Sequence, residues 1–514
     1  MKRYALISVS DKTGIETLAQ GLEALGYQIL STSNTARHLK NYCQSVVEIS
    51  DLTAFPEILD GRVKTLHPII HAGILARRDN AEHTYTLQEM DISPIDVVVV
   101  NLYPFAQTRA RKDATHHQII ENIDIGGPTL IRAAAKNYEH VYILTDPADY
   151  QPTLEYLAKD HPPQQEWRRH LAAKAFAMIQ GYDAQIAAYF QELDGAQDTA
   201  SLPSSLRLEI PRLQTLRYGE NPHQRGGFYT RQTPFWNVLH GKELSFNNVL
   251  DLDSTLRALR LFELPTAVIT KHTNPCGIAS SHTLVDAYRK AFATDTQSPF
   301  GGIVGVNQIL DMETAQEINR IFTEVIIAPG YAPGVLDWLK KKKNRRLVSF
   351  DLNQLHGDFS SLEIKSTLTG FLAQDWDLPT GDEAAWQVVT QLKPDPQTME
   401  DLRWGWKVVS LLRSNAIAIS SAQQVLGLGM GQTSRVDAVH QALWKAENFD
   451  HRLQGSICAS DGFFPFADSI RLLHQKGIRA IIQPGGSVGD ADVIASCNEL
   501  GISMIFTGKR HFRH

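Results

Sequence analysis

The chain has 514 residues, a formal net charge of −6, 43% hydrophobic residues and 21% charged residues. This length exceeds what one hydrophobic core supports, so we expect two or more domains. The negative charge disfavours nucleic acid as the main partner, since proteins that bind duplexes usually carry a surplus of Lys and Arg. No stretch is as long and apolar as a transmembrane helix. The four cysteines lack the spacing of a disulfide framework or a metal site. We therefore expect a cytoplasmic protein with reduced thiols.

Strands and helices alternate in the N-terminal part of the chain. The apolar runs at residues 3–9 (RYALISV) and 96–103 (DVVVVNLY) predict strands, and residues 13–26 (TGIETLAQGLEALG) predict a helix. This alternation is typical of a parallel sheet covered by helices. Residues 192–206 (ELDGAQDTASLPSSL) are poor in large apolar side chains, which indicates a linker and a domain boundary.

Polar and basic side chains follow the predicted strands of this part and begin one of its helices. Ligands of open α/β sheets collect beyond the carboxyl ends of the strands. We therefore expect an anion site here, although each residue taken singly is equally explained as a solvated strand end or helix position. The residues concerned are Arg62, Lys64, Asn101, Tyr103, Asp124, Arg132 and Lys136.

Two spacings resemble known motifs but do not match them. His67 and His71 have the spacing of a zinc-binding helix, but Pro68 follows the first histidine and the glutamate of HExxH is missing, so we predict no metal. Residues 425–436 contain a Gly-x-Gly sequence, but Gln432 stands where a dinucleotide fingerprint needs its third glycine. The loop remains a candidate for another flat ligand.

The C-terminal part also reads as α/β, with two subdomains and no fixed-period repeat. Its short apolar strands are predicted at residues 267–270, 301–306, 324–330, 479–486 and 503–508.

Four further segments leave alternatives open. The polar and aromatic residues 216–224 (LRYGENPHQ) are either a generic loop or a binding loop. The phenylalanines of residues 459–468 (ASDGFFPFAD) are either core or the wall of a site for a planar ligand. We expect residues 340–346 (KKKKNRR) to form a solvated loop and residues 506–514 a frayed tail.

An unusual pair, Lys271-His272, ends the apolar run at residues 266–270. Adjacent strand residues point to opposite faces, so both can serve one site only where regular pairing has ended, and we expect residues 274–277 (NPCG) to form that turn. An ammonium beside an imidazole disfavours the doubly charged state, which favours a neutral, proton-accepting histidine. The same ammonium could stabilise an oxyanion. The pair suggests acyl-type transfer without metal, and a surface Lys-His pair is the alternative.

An ordered set of motifs resembles one known family. In chain order the motifs are SVSDKTG, GRVKTLHPIIHAGILARR, NLYPF, IDIGGPTLIRAAAKN, LRYGENPHQ, KHTNPCG, GLGMGQTSR, SDGFFPFAD, PGGS and FTGKRHFRH. They resemble those of the bifunctional purine-biosynthesis proteins, which combine an IMP cyclohydrolase with an aminoimidazole carboxamide ribonucleotide (AICAR) transformylase, and the resemblance spans essentially the whole chain.

The resemblance implies two α/β domains. Residues 1–197 would form a methylglyoxal-synthase-like parallel-sheet domain with the cyclohydrolase. Residues 205–514 would form the transformylase domain of two cytidine-deaminase-like subdomains. It also implies 10-formyltetrahydrofolate as co-substrate, no metal, and a homodimer that shares its transformylase sites. A zinc deaminase is the alternative from another class, but the H-x-E and P-C-x-x-C ligands are missing.

For formyl transfer, the resemblance implies that His272 takes a proton from the weakly nucleophilic AICAR amine. Lys271 would stabilise the oxyanion or protonate the leaving nitrogen, and Asn415 would position the reactants. The residues implied to hold AICAR are Arg217, Tyr218, Gly301, Glu324, Phe463 and Arg510. Those implied to contact the folate are Arg435, Val436, Asp468, Ser487 and Val488.

For ring closure, the resemblance implies that Lys136 shuttles the proton with help from Lys64, Tyr103 and Asp124. The residues implied to hold the nucleotide are Ser10, Asp11, Lys12, Thr32, Ser33, Asn34, Thr35, Arg62, Thr65, Asn101 and Ile125. Ser33-Asn34 departs from the Gly-Gly that the family commonly has, and side chains restrict backbone with positive φ. The alternative is therefore a transformylase alone, with an N-terminal nucleotide-binding module.

Overall fold

The computed structural model describes residues 2–159, 164–193, 202, 205–206, 208–230, 232–357, 362–379 and 383–514. The chain divides into two compact units, Met1–Ser204 and Ser205–His514. The predicted linker at residues 192–206 lies largely outside the described residues.

The first unit is built on a five-stranded parallel sheet in the order β3-β2-β1-β4-β5. Its strands are β1 (Tyr4–Ser8), β2 (Gln28–Ser31), β3 (Val46–Glu48), β4 (Ile95–Val100) and β5 (Tyr142–Leu144). Its helices are α1 (Ile15–Ala24), α2 (Ser33–Leu39), α3 (Ile49–Thr53), α4 (Pro68–Leu75), α5 (Ala81–Glu89), α6 (Phe105–Ala110), α7 (His116–Glu121), α8 (Gly126–Lys136), α9 (Tyr150–Ala158) and α10 (Gln164–Leu193). The parallel sheet predicted from the alternating pattern is confirmed.

The order of the strands fixes where a ligand can bind. Strands β2 and β3 lie on one side of β1, whereas β4 and β5 lie on its other side. The carboxyl ends of β1 and β4 therefore flank a topological switch point, which is where open α/β sheets bind their ligands. Leu6 pairs with Val98 in the buried centre of this sheet.

The second unit contains a 12-stranded mixed sheet in the order β16-β21-β20-β19-β17-β18-β10-β9-β11-β12-β13-β8, counted over the described residues. Its elements begin with β6 (Arg212–Leu216), β7 (Gly226–Tyr229), β8 (Trp236–His240), α11 (Phe246–Leu259), β9 (Thr266–Lys271), β10 (Asn274–Ser280), α12 (Leu284–Thr294), β11 (Ile303–Val306), α13 (Met312–Ile318), β12 (Val325–Ala328), α14 (Val335–Leu339) and β13 (Arg346–Phe350). They continue with α15 (Leu352–Leu355), β14 (Glu363–Ser366), β15 (Phe371–Gln374), β16 (Gln387–Val388), α16 (Pro396–Val409), β17 (Ile417–Ser421), β18 (Gln424–Gly429), α17 (Arg435–Asn448), β19 (Ile457–Ser460), α18 (Asp468–Gln475), β20 (Ala480–Gln483), α19 (Asp490–Leu500) and β21 (Ser503–Phe506).

The second unit is a structural duplication. The elements from α11 to β13 recur in the same order as the elements from α16 to β21, about 150 residues further along the chain. The two halves meet where β10 runs antiparallel to β18, with Ala279 opposite Gln424. The second unit therefore consists of two similar halves that share one continuous sheet.

Both faces of this sheet are covered by apolar packing. Val268 belongs to the core on one face, whereas its neighbours Ala267 and Ile269 belong to the core on the other. This alternation follows from the two-residue period of a strand, and it explains why the strands read as continuous apolar runs.

The turn after β9 lies earlier than the sequence suggested. Lys271 pairs with Asn274, so the tight turn consists of His272 and Thr273, with φ of 53° and 62°. The predicted turn at residues 274–277 is wrong, because these residues begin strand β10 and form a bulge. Two central residues with positive φ are typical of a type I′ hairpin, whose twist matches that of the flanking strands.

Two segments predicted as solvated are only partly so, because residues 341–344 and 508–510 are exposed but each segment is also anchored by a buried side chain. In the basic run at residues 340–346, Arg345 is only 1% exposed and donates a hydrogen bond to the carbonyl of Thr323. In the C-terminal tail, His511 is buried and its N–H bonds to the carbonyl of Asp461. Local charge density cannot reveal such tertiary contacts.

Among the described residues, no helix is both long and apolar enough to cross a membrane.

Candidate active sites

A cavity of about 510 Å³ lies at the switch point of the first unit. It brings together side chains from the loops after β1, β2 and β4 and from the start of α8. The implied site residues that line it are Ser10, Lys12, Thr32, Asn34, Thr35, Arg62, Lys64, Thr65, Asn101, Tyr103, Asp124 and Ile125.

Asn101 fixes the two central loops of this cavity against each other. Its Oδ1 accepts hydrogen bonds from the backbone N–H groups of Ser10 (2.6 Å) and Asp11 (3.0 Å). Its Nδ2 donates to the carbonyl of Asp11 at 2.7 Å. Because β1 and β4 are neighbours, one amide side chain at the end of β4 can satisfy the exposed backbone groups of the other loop.

Asp124 is a partly buried acid of the cavity whose pKa is raised. Burial raises its pKa above the ordinary value, while the backbone N–H groups of Gly127 and Tyr103 and the ammonium of Lys64 oppose that rise. Its Oδ1 accepts the Gly127 N–H at 2.8 Å. A partly desolvated carboxyl group with a raised pKa beside a lysine is a candidate for proton transfer.

The Ser33-Asn34 departure carries no backbone strain. Both residues lie in the first turn of helix α2, and neither has a positive φ. Asn34 lines the cavity, whereas the hydroxyl of Ser33 donates to the carboxylate of Glu57. The conformational penalty expected for side chains at this place is therefore wrong, because a helical first turn does not require glycine.

Three implied residues of the first unit are not among the cavity-lining side chains: Asp11, Ser33 and Lys136. Lys136 is the last residue of α8 and is exposed, whereas Gly126 at the other end of that helix lines the cavity. Ten residues of helix separate the two positions by about 15 Å. Within one chain, the structure does not bring Lys136 together with Lys64, Tyr103 and Asp124.

Sequence reasoning missed several lining residues of this cavity. They are neighbours of the motif residues in the chain, so their only signal was proximity to a motif. They are Ser8, Val9, Asp60, Gly61, Ile120, Glu121, Ile123, Gly126 and Gly127. One of them changes the charge balance, because Glu121 forms an ion pair with Arg62.

In the second unit, Lys271 and His272 lie at the edge of the sheet where β9 ends and β11, β12 and β13 begin. The ammonium of Lys271 donates to the carbonyl of Phe300 at 2.9 Å. The next residue, Gly301, has a φ of 76°, and its N–H bonds to the carbonyl of Phe322. These contacts set the Lys271 ammonium against a glycine-containing loop that a ligand can approach closely.

Glu324 lies at the same edge, immediately before β12. Its Oε1 accepts hydrogen bonds from Arg346 at 2.8 Å and from Asn248 at 3.2 Å. The loop of Arg217 and Tyr218 follows β6, and the guanidinium lies 5.7 Å from the phenol ring centroid. Asn247, at the start of α11, donates to the carbonyl of Glu220 in this loop, so the loop at residues 216–224 lies beside α11.

The second half of the duplication contains further implied site residues. Asn415 Oδ1 accepts a hydrogen bond from Arg435 at 2.8 Å, and Asn415 Nδ2 donates to the carbonyl of Gln432. Arg435 is buried and forms an ion pair with Asp461. The guanidinium of Arg413 reaches the Thr273 hydroxyl at 3.3 Å, which ties this segment to the turn that carries His272.

The phenylalanine segment is divided between core and surface. Phe464 is fully buried, whereas Phe463 and Phe466 are 43% and 70% exposed. The loop of Ser487 and Val488 packs beside this segment, because a Cβ on Gly489 would meet the carbonyl oxygen of Pro465. Phe464 therefore belongs to the core, whereas the exposed rings of Phe463 and Phe466 leave the site for a planar ligand as a prediction.

The remaining implied residues lie around these segments. Val436 and Asp468 stand at the beginnings of α17 and α18, and Arg510 stacks on Phe512 with its guanidinium 4.6 Å from the ring centroid.

A separate cavity of about 240 Å³ opens beside Lys271 and His272, between α12 and α17. Sequence reasoning missed its ion pair, in which Lys445 and Asp295 are 2.7 Å apart. It also contains Cys276, whose pKa burial raises to about 12. That thiol is therefore protonated at neutral pH and is not a nucleophile.

The glycines of the Gly-x-Gly sequence serve packing. A Cβ on Gly427 would lie 2.1 Å from the carbonyl oxygen of Ala442, and one on Gly429 would lie 1.9 Å from that of Ala438. Helix α17 thus packs directly on the backbone of β18, so Gly427 and Gly429 are required for packing, and a flat ligand at the loop that follows stays a prediction. Among the residues that the structure describes, no group of three His, Cys, Asp or Glu side chains could hold a metal ion.

Comparison with known proteins agrees with this architecture. The profile of the AICARFT/IMPCHase bienzyme matches residues 134–445, and that of the MGS-like domain matches residues 14–129. The bifunctional purine biosynthesis proteins PurH of Caldicellulosiruptor saccharolyticus and Persephonella marina are each 46% identical to this chain over 525 residues, covering 100% of both chains. The PurH of Chlorobium phaeobacteroides is 46% identical and covers 100% of this chain and 99% of its own.

One solved structure also matches. The crystal structure of ForH is 39% identical, covers 37% of this chain and 100% of its own, and has a TM-score of 0.33.

The two α/β units and their two polar sites define a bifunctional enzyme that acts on small molecules. The chain belongs to the AICARFT/IMPCHase bienzyme family. It is accordingly an enzyme of purine biosynthesis with formyltransferase and IMP cyclohydrolase activities, and the transformylase-only alternative is not supported.

Proposed function

We propose that the second unit transfers a formyl group from 10-formyltetrahydrofolate to the amine of AICAR, with His272 as the base. The observation that supports this most strongly is the meeting of both halves of the duplication at one turn, where Arg413 touches Thr273 beside His272. Bound 10-formyltetrahydrofolate would supply the formyl carbon.

The AICAR amine is a weak nucleophile because its lone pair is delocalised into the ring. His272 accepts the amine proton as the new N–C bond forms. Lys271, already directed at the Phe300 carbonyl, stabilises the oxyanion or delivers a proton to the departing folate nitrogen as the old N–C bond breaks. Asn415, held by Arg435 and Gln432, positions the reactants.

Binding is divided between the two halves. The first half holds AICAR through Arg217, Tyr218, Gly301 and Glu324, and the second half adds Phe463 and Arg510. The exposed aromatic segment and the Ser487-Val488 loop, with Arg435, Val436 and Asp468, hold the folate. The buried Arg435-Asp461 pair is consistent with this role because it fixes the guanidinium at the start of α17.

We propose that ring closure occurs in the first unit, with residues 1–197 as the cyclohydrolase domain. The formylated product already contains both reacting groups, so positioning supplies most of the required rate. Lys64, Tyr103 and Asp124 handle protons, and the other lining residues hold the nucleotide. Lys136 can contribute only to the cavity of another copy of the chain, because its own cavity lies at the far end of α8.

The working enzyme on this proposal is a homodimer in the cytoplasm, and it requires no metal for its chemistry. The four free cysteines are typical of a reducing compartment.

The test supplies the purified protein with AICAR and 10-formyltetrahydrofolate and follows both products. We expect formyl-AICAR to form and IMP to accumulate. Synthetic formyl-AICAR, given alone, should close to IMP without folate. Absence of any formylated product would contradict the proposed transfer, and failure of the second assay alone would contradict the proposed cyclisation.

A further inference from the structure

Helix α11 forms hydrogen bonds with the turn that carries His272. The N–H of Thr273 donates to Asp251 Oδ1 at 2.5 Å, and the hydroxyl of Ser254 donates to the carbonyl of Thr273 at 2.8 Å. One turn of helix separates Asp251 from Ser254, so both face the hairpin. The helix therefore satisfies both backbone groups of Thr273.

This support matters because the turn is strained. Both His272 and Thr273 have left-handed backbone conformations that non-glycine residues rarely adopt, and Thr is β-branched. Such conformations persist only where the surrounding structure holds them. The hydrogen bonds from Asp251 and Ser254 supply such support to the turn, and with it to the imidazole.

The pKa of Asp251 reflects its contacts with this turn. Burial raises its pKa and the carboxylate of Glu324 adds to the rise, while the backbone N–H groups of Thr273 and His272 and the His272 imidazole oppose it.

The second half of the duplication offers an internal comparison. Asp401 occupies the equivalent place on α16, beneath the left-handed turn of Ala422 and Gln423, and the N–H of Ala422 is its backbone partner. Trp404 and Gly405 stand where α11 has Ser254 and Thr255. A carboxylate under the turn is thus part of the fold, whereas the additional hydroxyls occur only in the half that has Lys271 and His272.

We propose that Asp251, together with Ser254, is a positioning pair for formyl transfer, which aligns the His272 base by fixing the Thr273 backbone. This inference rests on the proposed function of the second unit. It assigns no direct contact with substrate to either residue, so their effect should fall on turnover rather than on binding.

The experiment compares Asp251→Ala, Asp251→Asn and Ser254→Ala with Asp401→Ala. For each variant, kcat and KM for formyl transfer, the rate of closure of formyl-AICAR, and Tm are measured. We expect Asp251→Ala to lower kcat about 10- to 100-fold, since small misplacements of a catalytic group have effects of this size. KM and ring closure should remain within about twofold of the parent on the same reasoning.

Asp251→Asn should recover most of the lost kcat, because its amide oxygen still accepts the Thr273 N–H. Asp401→Ala should lower Tm while leaving kcat within about twofold, because its turn carries no catalytic side chain. If Asp251→Ala does not fold, Ser254→Ala carries the test, with an expected decrease in kcat of roughly 3- to 10-fold.

Equal losses of kcat in Asp251→Ala and Asp401→Ala, or a rise in KM without a change in kcat, would overturn the inference. So would an Asn variant no better than Ala. Failure of the proposed function is distinguishable, because the unmodified enzyme would then show no formyl transfer at all.

Discussion

Arg413 Nη2 donates a hydrogen bond of 3.3 Å to the hydroxyl of Thr273, and this contact joins the two halves of the duplicated unit at the turn that carries His272. Asn415 lies two residues beyond Arg413, so this contact links the segments that carry the proposed base and the proposed positioning amide. Disturbing either half should therefore disturb the same reaction.

Replacing His272 with Ala should abolish formyl transfer and spare ring closure. Loss of a general base, the role proposed for His272, typically costs 10²- to 10⁴-fold in rate. Both half-reactions are measured separately, with Tm as the control for folding. Similar losses in both assays would indicate that the variant is misfolded and would leave His272 without the role proposed for it.

Lys136→Ala and Asp124→Asn should each lose ring closure as single variants. If Lys136 serves the cavity of another copy, mixed dimers of the two variants contain one site with both residues intact. We therefore expect mixing under exchange conditions to restore up to about half of the parental activity per dimer. The parent mixed with each variant is the control. Full activity of Lys136→Ala alone, or no recovery in the mixture, would contradict this arrangement.

Gly277→Ala should destabilise the second unit by about 3 kcal/mol, since a Cβ there would lie 1.9 Å from the carbonyl oxygen of Ala291 and α12 would have to move. Gly427→Ala should have a similar effect through Ala442, because it is the equivalent position of the second half. Denaturant unfolding measures both. Gly370→Ala is the matched control, because a Cβ there meets nothing within 4 Å. Equal stabilities in all three variants would contradict the close packing.

The ion pair between Asp295 and Lys445 should make stability depend on pH in acid. Although burial alone would raise the pKa of Asp295, hydrogen bonds from Lys445, Ser298 and Gln297 hold it below the ordinary value. A depressed folded-state pKa gives stability that is present above the unfolded pKa of about 4 and is lost as the pH falls through the folded value.

Asp295→Asn should therefore cost roughly 1–3 kcal/mol at pH 7, and the deficit should shrink below about pH 4. Unfolding free energies measured from pH 7 to pH 3 test this, with Asp492→Asn, exposed on α19, as the control. A deficit that stays constant with pH would show that the charge of Asp295 does not matter.

Much of the fold was predictable because each strand is a local signal. The apolar runs at residues 96–103 and 324–330 are strands β4 and β12, since a strand buried on both faces needs continuous apolar residues. The site in the first unit could also be predicted from the sequence, because Asn101 and Tyr103 directly follow the end of a predicted strand.

Other features depend on contacts that no local pattern contains. The turn at His272 and Thr273 lacks the Asn-Gly that normally signals a type I′ hairpin, because Asp251 and Ser254 stabilise it from a distant part of the chain. The duplication has diverged so far that its two halves share positions but few residues. Gly427 appeared to belong to a ligand loop because the sequence does not show that a helix lies against it.

The hairpin of Ala422 and Gln423 also has a practical consequence for protein engineering. Its backbone already adopts the left-handed geometry that carries the imidazole in the other half. A lysine and a histidine could be introduced at positions 421 and 422 without redesign of the loop. This hairpin is therefore a suitable scaffold for a second, engineered proton acceptor.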